Sequence, residues 1–92
     1  MSNKHLHLLE TIFRDPLPSN LHWREVESLL EHLGAQVEPG HGARFKVLLR
    51  GKEFTLHHPH HGNELQRQDV KHLREALAIA GVSPSRYAQE QA

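Results

Sequence analysis

Four imidazoles fall within five residues in the run Leu56-His57-His58-Pro59-His60-His61-Gly62-Asn63. Histidine is the side chain whose ordinary pKa, about 6.5, lies nearest neutrality. Such a cluster suits proton transfer, metal ligation or contact with phosphate. A zinc site needs four ligands converging at about 2.0–2.1 Å. The run supplies imidazoles but no carboxylate or thiolate, so any metal held here has His57, His58, His60 and His61 as its ligands. A fifth histidine, His41, stands in the turn Pro39-Gly40-His41-Gly42, shortly before the cations Arg44 and Lys46. His5, His7, His22 and His32 have no motif around them and read as surface residues.

The segments that must position these groups carry clear periodicities. Leu6, Leu9 and Phe13 share one face of a helix over residues 4–14, which Asn3 can cap and the prolines after Asp15 end. Asn20 is the expected cap of a second helix reaching Leu33. Its stripe is Trp23, Val26, Leu29, Leu30 and Leu33, and Gly34 is its stop. Residues 35–38 alternate. Ala43, Phe45, Val47 and Leu49 then share one strand face, with Arg44, Lys46 and Leu48 on the other. Arg50-Gly51 is a hairpin turn, followed by a third strand that buries Phe54 and Leu56 and turns Glu53, Thr55 and His57 outward. A last helix starts between Asn63 and Asp69, with Asn63-Glu64-Leu65-Gln66 as a capping box. It buries Val70, Leu73, Leu77 and Ala80 and ends at Gly81. Residues 82–92 read as a frayed tail held by Tyr87. The order α-α-β-β-β-α predicts an α+β fold: a small antiparallel three-stranded sheet with helices on one face.

Composition narrows the function. Ninety-two residues allow one modest core, and with no cysteine neither disulfides nor a thiolate zinc site can brace it. No stretch approaches the roughly 20 apolar residues of a membrane span, and the first residues lack an apolar signal core. A cytoplasmic protein without a membrane partner is expected. The formal charge is zero but unevenly spread. Residues 1–39 carry three Lys and Arg against six Asp and Glu, whereas residues 40–75 carry seven against four, together with six of the ten histidines. The second stretch suits a polyanion.

From about His22 to Val82 the chain resembles the HicA family of bacterial toxins. The resemblance rests on Leu29-Leu30-Glu31-His32-Leu33-Gly34 at the end of a helix and Gly42-Ala43-Arg44-Phe45-Lys46-Val47 opening a strand. It rests also on the Pro-x-His loop within Leu56 to Leu65, and on the terminal helix of residues 69–82 with its Ala-Gly-Val end. It implies a compact α-β-β-β-α fold like that of double-stranded-RNA-binding domains, occupying residues 22–82. Residues 1–21 would be an N-terminal helical extension and residues 83–92 a C-terminal tail. It also implies messenger RNA as substrate, cleavage without metal or small-molecule cofactor, and an antitoxin partner over the RNA-facing surface. The family's catalytic histidine opens the second strand, a position that Arg44 occupies here, and His41 is the candidate substitute.

Metal-free RNA cleavage needs a base for the 2′-hydroxyl proton and a cation beside the phosphorane. Arg44, Lys46, His60, Lys71 and Arg74 are the RNA-binding candidates, and they suit the task only if they converge. Two other readings stand beside this one: a non-catalytic RNA-binding or regulatory module on the same fold, and a histidine-rich metal-binding protein.

Overall fold

In the computed structural model, residues 4–18, 20–59 and 62–91 are described. Asn3, His60 and His61, and with them the cap expected of the first and the roles expected of the other two, lie outside these residues. Four helices and three strands follow in the order α1 (Lys4–Ile12), α2 (Trp23–His32), β1 (Gln36–Pro39), β2 (Arg44–Leu49), β3 (Lys52–His57), α3 (Arg67–Ile79) and α4 (Pro84–Gln91).

The strands form an antiparallel meander, β1-β2-β3. Arg50 (φ 51°) and Gly51 (φ 81°) both take positive φ, the requirement of a two-residue type I′ hairpin. That turn fixes the register, pairing Leu49 with Lys52 and, five steps on, Arg44 with His57. The alternation holds as expected. Phe45, Val47, Phe54 and Leu56 face the helices, while Arg44, Lys46, Thr55 and His57 face outward.

One continuous core joins the layers. Leu9 and Ile12 of α1, Val26, Leu29 and Leu30 of α2, Val47 of β2, and Val70, Leu73 and Leu77 of α3 are wholly buried. α1 packs on α2, α3 and α4, and α3 lies on β3. Helices α2 and α3 end alike. Gly34 (φ 86°) and Gly81 (φ 81°) adopt left-handed backbone just past each helix. Ala35 N–H donates to the Leu30 carbonyl (2.9 Å) and Val82 N–H to the Leu77 carbonyl (2.8 Å), while each glycine N–H closes the inner bond. These are Schellman motifs, which satisfy carbonyls that the helix itself leaves open.

Three expectations need correction. The second helix starts at Trp23 with His22 at its N-cap, not at Asn20. Leu21 and His22 are extended because they pair with residues 63–65: Leu65 N–H donates to Leu21 O (2.8 Å) and Trp23 N–H to Asn63 O (2.6 Å). The same pairing removes the capping box proposed at Asn63, so the last helix begins at Arg67 and its N-cap, Gln66, makes no side-chain cap. Residues 84–91 are a helix rather than a frayed tail. Ser83 Oγ accepts from Arg86 N–H (3.3 Å), Pro84 opens the first turn, and Tyr87 is buried.

Candidate functional site

β2 begins with a closed turn. Gly40 N–H donates to Arg44 O (2.8 Å), Arg44 N–H donates to His41 O (3.2 Å), and Gly42 takes φ 63° between them. The turn thus sets His41 immediately before Arg44. Directly across the ladder from Arg44 lies His57, on the same outward face. Arg44, His41 and His57 are all exposed, and none has an ion pair or side-chain hydrogen bond among the described residues. Side chains directly opposite on one face of an antiparallel pair have Cβ atoms about 4.5–5.5 Å apart. One phosphate can therefore touch both Arg44 and His57.

The next outward cation along β2 sits differently. Lys46 Nζ lies 3.2 Å from Glu53 Oε2, and a shallow hollow around them is lined also by Gln36, Glu38 and Leu48. This part of the face is of mixed charge, so the cationic character is concentrated at the Arg44 end.

The histidine run splits. His57 points outward. His58 turns inward and lies against Trp23 (ring centroids 5.0 Å) and Phe45 (6.1 Å). Its N–H continues the ladder to Ala43 O (2.7 Å), and its Nδ1 is hydrogen-bonded to Pro59 O (2.8 Å). His58 is a wedge between loop and core. Two imidazoles on opposite faces of one strand cannot chelate a common ion, and no group of three metal-ligating side chains converges among the described residues.

The remaining candidates separate as well. Lys71 is on the exposed side of α3, where it lines an open depression of about 520 Å³ with Leu17, Arg67, Gln68, His72 and Glu75. Arg74 is turned into the fold. Its Nε donates to Ile12 O (2.8 Å) and one Nη to Arg14 O (2.6 Å), with Asp15 Oδ1 at 3.4 Å and the Phe13 ring beneath at 6.0 Å. It closes the C-terminal end of α1. The five candidates therefore do not form one row.

What does converge is one end of the molecule. The pairing of residues 21–23 with 63–65 brings the N-termini of α2 and α3 together. Trp23, in tilted ring contact with both Phe45 and His58, ties that junction to the start of β2 and the end of β3. Arg44 and His57 stand at this end on the sheet face turned away from the helices, whereas Arg67 and Lys71, on the first turns of α3, line the depression shared with Leu17, His72 and Glu75. Two helix N-termini add partial positive charge. Arg67 was not among the candidate site residues read from the sequence, and His57 entered only as a possible metal ligand. The i, i+4 spacing of Arg67 and Lys71 on an exposed helix face was the available signal.

A second histidine network lies among α1, α2 and α4. His5 and His32 stack at 4.3 Å, His5 Nε2 is hydrogen-bonded to Ser28 Oγ (3.2 Å), and His32 Nε2 to the Tyr87 hydroxyl (2.9 Å). Burial, then the neighbouring His32 and Lys4, push the His5 pKa below its ordinary value. These residues are not the unengaged surface histidines their sequence context suggests.

The architecture is that of a small α+β domain whose α-β-β-β-α order, α2 to α3, carries one further helix at each end. A sequence model of the HicA toxin of bacterial toxin–antitoxin systems matches residues 23–82, well over half of the chain, and the chain belongs to that family. No curated protein and no solved structure matches it. Among the described residues, no helix is long and apolar enough to cross a membrane.

Proposed function

We propose that this toxin binds messenger RNA at the end of the molecule that carries Arg44 on the sheet and Arg67 and Lys71 on α3, and cleaves it beside Arg44 without metal. The observation that supports the reading is that Arg44, exposed and without an ion pair or side-chain hydrogen bond among the described residues, stands directly across the ladder from His57 and just after the turn that holds His41. RNA helices are read mainly by shape, through phosphate and 2′-hydroxyl contacts made from several elements at once. In this reading Arg44 holds the scissile phosphate, and His41, fixed beside it by the turn, takes the 2′-hydroxyl proton. Arg67 and Lys71 grip the backbone further along. Lys46, engaged with Glu53, and Arg74, engaged with α1, contribute little. The antitoxin that silences the protein covers this same end.

The test is binding and cleavage of a long RNA in EDTA over a range of salt. Phosphate contacts release counterions, so affinity falls steeply with salt. Replacing one phosphate-contacting cation, Arg44→Ala or Lys71→Ala, lowers the slope of log affinity against log salt by about 1. A flat salt response removes the RNA reading. Overproduction in cells is expected to stop growth and deplete messenger RNA.

A further inference from the structure

We propose that His57 is a second proton-transfer residue of RNA cleavage, acting with His41 on either side of Arg44; this rests on the function proposed above. Transesterification without metal needs two proton movements. The 2′-oxygen attacks phosphorus as its proton passes to one imidazole. The bond from phosphorus to the 5′-oxygen breaks as the other imidazole, protonated, gives that oxygen a proton. The products are a 2′,3′-cyclic phosphate and a 5′-hydroxyl, and no oxidant, reductant or co-reactant is consumed. A single histidine leaves one of the two movements to solvent.

The ladder supplies the second one. Arg44 and His57 are directly opposed, and both face outward. The His57 position is rigid, because its successor His58 is bonded by its N–H to Ala43 O (2.7 Å) and wedged against Trp23 (5.0 Å). His41 lies on the β1 side of the same cation, in the turn where Arg44 N–H donates to the His41 carbonyl (3.2 Å). The three groups come from two strands and a turn whose relative positions are set by backbone hydrogen bonds. This is the pre-organisation that acid–base catalysis requires.

The experiment compares the wild-type chain with His57→Ala, His57→Gln and, as a control far from the site, His7→Ala. Each is measured for RNA affinity and for cleavage rate in EDTA across pH, with the product ends identified. The wild type is expected to give cyclic phosphate ends, no cleavage where the scissile nucleotide is 2′-deoxy, and a bell-shaped pH–rate profile. Both His57 variants are expected to lose roughly 10²-fold or more in rate, to lose one limb of the bell, and to keep their RNA affinity within a few-fold. A His57 variant that cleaves at the wild-type rate overturns the inference, as does one whose affinity falls as far as its rate. A wild type that binds RNA without cutting it overturns the inference and leaves RNA binding standing. A wild type that binds no RNA overturns both.

Discussion

Arg74→Ala should weaken the fold. The Arg74 side chain is 23% exposed, and its guanidinium spans two carbonyls at the end of α1, Ile12 O at 2.8 Å and Arg14 O at 2.6 Å. Carbonyls there have no partner within the helix, and a cation beside them also suits the helix dipole. Hydrogen bonds to a charged group contribute about 1.5–3 kcal/mol each. Partial exposure places these two at the low end, about 3 kcal/mol together. The ion pair to Asp15, whose side chain is 88% exposed, adds under about 0.5 kcal/mol, and cover of the Phe13 ring adds about 0.5. Against this stands the rotamer freedom that alanine no longer has to lose, up to about 2 kcal/mol. The net expected loss is about 2 kcal/mol, or roughly 8–16 °C in Tm for a domain of this size. Thermal and urea unfolding followed by circular dichroism at low and high salt measures it. The loss should persist at high salt, because carbonyl bonds and not ion pairs dominate it. Arg74→Lys should recover less than half, since one ammonium cannot span both carbonyls in the same geometry. An Arg74→Ala protein within about 0.5 kcal/mol of wild type, or full rescue by lysine, refutes the reasoning.

Other outcomes follow from the same geometry. Leu65→Ala, at a position 1% exposed, should cost about 2–5 kcal/mol by urea unfolding, a loop residue behaving as core. Gly34→Ala should cost about 1–2 kcal/mol; a Cβ there meets nothing within 4 Å, so the left-handed backbone alone sets the penalty. The lowered His5 pKa makes the fold resist a proton that the unfolded chain accepts. Stability should therefore fall as pH drops below about 6.5 and level off below the folded-state pKa. In Tm measured from pH 8 to 5, His5→Gln should flatten that part of the curve, and an unchanged slope would contradict it. Tyr87→Phe, which removes the hydroxyl bonded to His32, should cost about 0.5–1.5 kcal/mol in unfolding free energy.

The parts of this fold that can be read from the chain are those written in local periodicity. Phe45, Val47 and Leu49 against Arg44, Lys46 and Leu48 give the strand faces at once, and Gly34 and Gly81 mark helix ends because few other residues tolerate their backbone. The opposition of Arg44 and His57 was legible too. Once Arg50-Gly51 is a two-residue turn, counting outward from Leu49 and Lys52 arrives at that pair. Long-range pairing is what local reading could not supply. Asn20 and Asn63 each carry a good capping side chain, yet residues 21–23 and 63–65 pair with each other across some forty positions and leave neither asparagine as a helix N-cap. Asn63 still serves a helix N-terminus, through its backbone carbonyl on Trp23 N–H. Arg74 looked like an exposed cation until Ile12 and Arg14, about sixty residues away, were set beside it. The stacking of His5 on His32 depends likewise on how α1 crosses α2. The Ser83-Pro84 pair is a local helix-start signal set in a polar stretch. A charge read from sequence becomes a site residue only after the fold has decided which carbonyls and carboxylates claim it. Here that competition removes Arg74 and Lys46 and leaves Arg44, opposite His57 on the ladder, without an ion pair among the described residues.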